Sequence, residues 1–96
     1  MILNAITTMT ATEATATTAS GTALAANADR IYAIFVNDSD KVMYLRLGET
    51  AVQHEGIRIA ASGGSYEITK DNLYRGEVNV ICEEADKVLM ITEGVS

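Results

Sequence analysis

The chain has no proline, one cysteine and one histidine among its 96 residues. Each scarcity removes a class of explanation. A single cysteine, Cys82, allows no intrachain disulfide, so this is not a disulfide-stapled secreted scaffold. A lone histidine, His54, matches no zinc-ligand spacing. Without proline, turns fall to Gly, Asn and Asp. Basic residues are few and scattered: Arg30, Lys41, Arg46, Arg58, Lys70, Arg75 and Lys87. None of them clusters with aromatics, and the net charge is -6. Nucleic-acid binding by phosphate neutralisation is therefore not expected, and neither is attraction to an anionic membrane. No apolar run approaches membrane-spanning length. The N-terminus shows no basic region followed by an apolar core, so no signal peptide is read there. The expected compartment is the cytoplasm or a particle assembled in it.

What is present divides in two. Residues 1–28 are mostly Thr and Ala, with Glu13 as their only charged side chain. β-branched Thr favours extended backbone, whereas Ala favours helix, and Thr at this density disfavours an isolated helix. The segment reads as an extended N-terminal arm that satisfies its backbone against a partner surface. Ile2, Ile6 and Met9 are its candidate interface residues. Residues 29–96 form the second unit, a run of short alternating segments broken by turn residues.

Within that unit, residues 30–37 (RIYAIFVN) are the strongest strand. Ile31, Ala33 and Phe35 alternate with Tyr32, Ile34 and Val36, so both faces are apolar and a central strand covered on both sides is expected. Asn37 to Asp40 is a turn by composition. Residues 41–47 return with Met43, Leu45 and Leu47 on the core face, and the two segments read as a hairpin. Further strands are expected at residues 22–26, around Ile57 and Ile59, at 65–69, at 77–83 and at 87–93. Residues 77–83 put Val78, Val80 and Cys82 on one face, and residues 87–93 read as a second hairpin partner. No sustained helical period follows residue 30. The fold class is all-β: a small antiparallel β-sandwich or barrel, jelly-roll-like, with an extended N-terminal arm.

Chemistry is hard to find. Asp38-Ser39-Asp40 lacks the glycine and distal glutamate of a helical calcium loop. His54 lies in a polar stretch between Gln53 and Glu55 and reads as an exposed loop residue. Glu83 and Glu84, adjacent on a strand, face opposite sides. Glu67 and Glu93 are expected on solvent faces. Gly63-Gly64 precedes a strand, so no helix N-terminus is available for an anion. No catalytic, metal-binding or cofactor-binding residue is assigned, and no enzyme is expected. Tyr74, in a loop, is either an interface anchor or a ring folded back onto the sheet.

Residues 30–93 carry a recurring set of positions. Arg30 opens a strand that ends in Asn37-x-Ser39, and Tyr44-Leu45 runs to Gly48. Gly56-Ile57-x-Ile59 leads to the Gly63-Gly64 turn and Tyr66. Gly76-x-Val78 precedes an apolar strand ending in Thr92-Glu93. In these features the stretch resembles a group of small phage and prophage virion proteins. The resemblance implies a structural subunit such as a capsid decoration (cement) protein, with no catalytic residues to carry over. It implies a homo-oligomer, expected as a trimer, bound to the major capsid protein in a virion assembled in the bacterial cytoplasm. Two alternatives stand beside it: a glycan-binding or host-contact module using Tyr74, and a head–tail connector or tail subunit.

Overall fold

The structure, a computed structural model, describes residues 5–96. Eight strands follow one another: β1 (Thr8–Ala16), β2 (Gly21–Leu24), β3 (Arg30–Asn37), β4 (Met43–Leu47), β5 (Ile57–Ile59), β6 (Ser65–Ile68), β7 (Val78–Cys82) and β8 (Lys87–Val95). They build two four-stranded antiparallel sheets, ordered β1-β8-β3-β6 and β2-β7-β4-β5. The pairing is nested: β1 lies against β8, β2 against β7, β3 against β6 and β4 against β5. Rolling that nest brings β3 onto β8 and β4 onto β7. This is the strand order of a jelly roll, and the all-β sandwich expected from the alternation is what forms.

Period-2 alternation aims one side of each strand into the sandwich. From the first sheet come Ala33, Phe35, Ile68, Leu89 and Ile91; from the second come Met43, Leu45, Ile59, Val78, Val80 and Cys82. All are buried to within 1% of their surface. Cys82 fills the core as a small apolar residue, its thiol 3.4 Å from the Val42 carbonyl.

Neither expected hairpin forms. β3 and β4 belong to different sheets, and so do β7 and β8. The turn after β3 is built from the expected residues, but it lifts the chain across the sandwich. Asn37 is fully buried. Its Nδ2 donates to the carbonyls of Lys41 (2.7 Å) and Ile59 (3.2 Å), and its Oδ1 accepts the Ser39 hydroxyl at 2.7 Å. A side chain that ties a strand end to the opposite sheet steers the chain there. Alternation cannot distinguish this from a hairpin, because strands facing each other and strands side by side share the same period.

The described part of the Thr/Ala-rich leader does not reach away from the globule. Thr8–Ala16 pairs with β8 along its whole length with no register shift, so its own chain supplies a backbone partner on one side. Gly21–Leu24 joins the other sheet. Both strands that precede the composition break at Asp29 are therefore integrated into the sandwich.

A buried knot closes one end. Arg30 has no exposed surface, and its Nε donates to the Glu93 carboxylate at 2.7 Å. Its remaining nitrogens donate to the carbonyls of Ala25 (2.6 Å), Tyr74 (2.9 Å) and Gly76 (2.9 Å). Glu93 also accepts from Asn27 Nδ2 at 3.3 Å. Glu93 thus departs from the solvent face expected of it. It lies on the inward side of β8, where a guanidinium compensates its charge.

Candidate interaction surface

The two outer faces of the sandwich differ. Over the β2-β7-β4-β5 sheet, residues 49–55 fold back as a cover. Ala51 packs with Tyr44, Ile81 and Val42 in a second small core. Polar contacts pin the cover down: Asn79 Nδ2 donates to the Glu49 carbonyl (2.7 Å), Gln53 Nε2 to the Cys82 carbonyl (2.6 Å), and the Ala51 amide to Ser20 Oγ (2.8 Å). His54 adds a 2.8 Å hydrogen bond between its Nδ1 and the Tyr44 hydroxyl. The cover reaches Tyr44 of β4 and Asn79 and Ile81 of β7, while Thr22 of β2 and Arg58 of β5 stay exposed beside it.

The β1-β8-β3-β6 sheet has no such cover among the described residues. Its outer side chains form three cross-strand rows. Met9 stands beside Gly94 and Tyr32, Ala11 beside Thr92 and Ile34, and Glu13 beside Met90 and Val36. Met9 is 50% exposed, Ile6 42% and Met90 41%. A groove of about 300 Å³ runs between β1 and β3, with Met90 and Thr92 along it and Glu13 as its only charged lining residue. β3 is therefore central, as expected, but covered on one side only; Ile34 and Val36 remain half-exposed.

Gly94 shapes this face. A side chain there would meet Met9 Sδ at 2.8 Å and Ile6 Cδ1 at 3.1 Å. The glycine leaves a slot into which both residues settle. Ile6 and Met9, the two candidate interface residues of the leader that are described, thus converge on one spot; Ile2 lies outside the described residues. Tyr74 does not join them. Its ring is half-buried against the main core, and its hydroxyl end lies close to both Gly48 and Gly76. Of the two readings of that tyrosine, the folded-back ring is the geometry found.

Met90, Ile34 and Val36 complete the surface. The last two carried a signal in the sequence, an apolar outer row on a strand whose inner row was already apolar. Met90 carried a weaker one, because Leu89 and Ile91 flank it and all three look like core.

Polar chemistry on the face is sparse. The Tyr32 hydroxyl donates to Glu67 Oε2 at 2.5 Å. That hydrogen bond, then desolvation, then the carboxylate's charge, push the phenol above its ordinary range. The pair orients the Tyr32 ring toward β6. Among the described residues no group of three or more His, Cys, Asp or Glu side chains is placed to hold a metal ion. No family model, curated protein or solved structure matches the chain.

Proposed function

We propose that the protein is a virion structural subunit, a capsid decoration (cement) protein that stabilises a phage head by docking on the major capsid protein as part of a homo-oligomer. Jelly rolls serve capsid, lectin and cupin proteins alike, so the fold alone carries no function. The observation that carries the reading is the asymmetry of the sandwich. The apolar centre of one sheet lies under its own loop, while the other presents Ile6, Met9, Ile34, Val36 and Met90 to solvent. A contiguous apolar patch on a small acidic domain is the mark of a contact surface. The resemblance of residues 30–93 to small phage virion proteins points the same way.

The energetics favour many weak attachments. Covering ~500 Å² of apolar surface yields about 12 kcal/mol gross by the area rule. Association costs ~4–15 kcal/mol in lost translation and rotation, plus ~0.5–1.5 kcal/mol for each side chain immobilised. The sheet is preformed, so no backbone ordering is added. Single attachments come out weak, and stabilisation of a shell requires several copies held together.

Titrating the protein onto shells that lack it, and following their heat-induced rupture, tests this directly. Rupture should move to higher temperature with saturable binding, and Met90→Glu should abolish both effects while leaving the fold intact. No bound protein and an unmoved rupture temperature reject the role.

A further inference from the structure

The sandwich has four edge strands, and they are unequal. β5 has three residues; β6 has four; β2 has four and a break in register. Short, irregular edges are how sheet proteins avoid edge-to-edge pairing. β1 has none of these protections. It is nine residues long, keeps unbroken register with β8, and contains no proline, lysine or arginine. Thr8 to Glu13 is exposed on both faces, so in this stretch β8 is the only strand that supports it. Over Thr8–Glu13 its outward edge presents a row of backbone donors and acceptors that no other described strand meets, whereas Ala16 at the strand's end is buried.

We infer that this edge pairs with β1 of a second copy, antiparallel about a two-fold axis, to give one continuous eight-stranded sheet. Length selects that partner. The other edges of the molecule run for three or four residues, so none matches β1 from end to end. The side chains are also self-complementary. A pairing centred on Ala11 sets Glu13 opposite Met9 of the other copy; one centred on Thr12 sets it opposite Ala11. In neither does Glu13 face its own counterpart, although it is the strand's only charge. Both centres keep outer residues beside outer residues, because an antiparallel two-fold about a residue preserves side-chain parity. The two apolar faces then merge into one surface twice as wide. Such an isologous contact closes at two copies. It concerns self-association only, and stands or falls separately from docking on a shell.

Sedimentation and light scattering of the full chain test it. The expected mass is about twice the 10.2 kDa of one chain. Thr12→Lys places like charges near the axis and should return the mass to that of one chain, while Ser65→Lys on the β6 edge should leave the pair intact. Of the single variants Ala11→Cys and Thr12→Cys, the one on the axis should oxidise to a covalent dimer, since the native Cys82 is buried. The cross-link decides the matter if Thr12→Lys loses its fold. A single-chain mass up to millimolar concentration, or a dimer that Thr12→Lys leaves whole while neither cysteine cross-links, overturns the pairing.

Discussion

The Arg30 guanidinium and the Glu93 carboxylate meet at 2.7 Å, 63 residues apart in sequence, with the arginine sealed from solvent. The pair joins the start of β3 to the end of β8, and Arg30 extends it to the loops at Ala25 and Tyr74. Removing one member of a buried, hydrogen-bonded pair costs about 3–5 kcal/mol, because the other is left uncompensated. Arg30→Ala should therefore consume a large part of a stability of roughly 5–14 kcal/mol for a chain this size. Arg30→Lys keeps the charge but loses the planar fork, and should recover only part of the loss. The exposed pair Arg46–Glu49, at 2.8 Å, is the control; Arg46→Ala should cost no more than about 1 kcal/mol. Urea denaturation of the three variants checks the order, and equal losses for Arg30→Ala and Arg46→Ala would contradict it.

Two glycines should respond in opposite ways. At Gly64 an added Cβ would lie 2.4 Å from the Ala60 carbonyl oxygen and 2.5 Å from its nitrogen, both rigid backbone atoms. Gly64→Ala should destabilise by about 1–3 kcal/mol through overpacking. At Gly21 a Cβ would meet nothing within 4 Å. Gly21→Ala should be neutral, or stabilising by about 0.4–1 kcal/mol through the unfolded chain. Thermal midpoints of the two variants read this out, and a lower midpoint for Gly21→Ala than for Gly64→Ala defeats the assignment.

A surface pair should leave a pH signature. Lys87 Nζ lies 2.8 Å from Asp40 Oδ1. Its hydrogen bond, then its charge, hold the Asp40 carboxyl below the ordinary carboxylate range. The hydrogen bond to Asp40, opposed by desolvation, raises Lys87 in turn. Asp40's contribution is present above the unfolded carboxylate value and lost as pH falls through its lowered folded value. Lys87's is present below the unfolded lysine value and lost as pH rises through its raised folded value. The difference in urea midpoint between the native chain and Asp40→Asn should accordingly be flat through neutrality and shrink at both extremes. Because the pair is exposed, the difference should be small and should shrink further in 1 M salt. A difference that grows toward acid contradicts the pairing.

Much of the fold was legible in the residues. Alternation placed the strands from β3 to β8, because apolar side chains on a two-residue period have few other ways to be buried. Connectivity was not legible. The alternation of Phe35 and of Leu45 is the same whether β3 and β4 lie side by side or face to face, and only the buried Asn37 bridge distinguishes the two. The Arg30–Glu93 pair was hidden for a related reason: charged letters read as solvent, and their partners lie far along the chain. The leader was read as an arm seeking a partner surface, whereas Thr8–Ala16 pairs with β8 of its own chain, a neighbour that Thr/Ala alternation does not specify. Of the exposed apolar face, Ile6 and Met9 were singled out from bulk alone, whereas Met90 was concealed between two core residues.

The nested pairing also governs how the molecule is made. Thr8–Ala16 has no strand to join until Lys87–Val95 has been synthesised, and β3 then gains its second neighbour in the same event. Pairing dominated by distant segments closes slowly, on the scale of milliseconds to seconds. A nascent chain cut before Lys87 therefore holds a Thr8–Ala16 segment whose partner strand is missing.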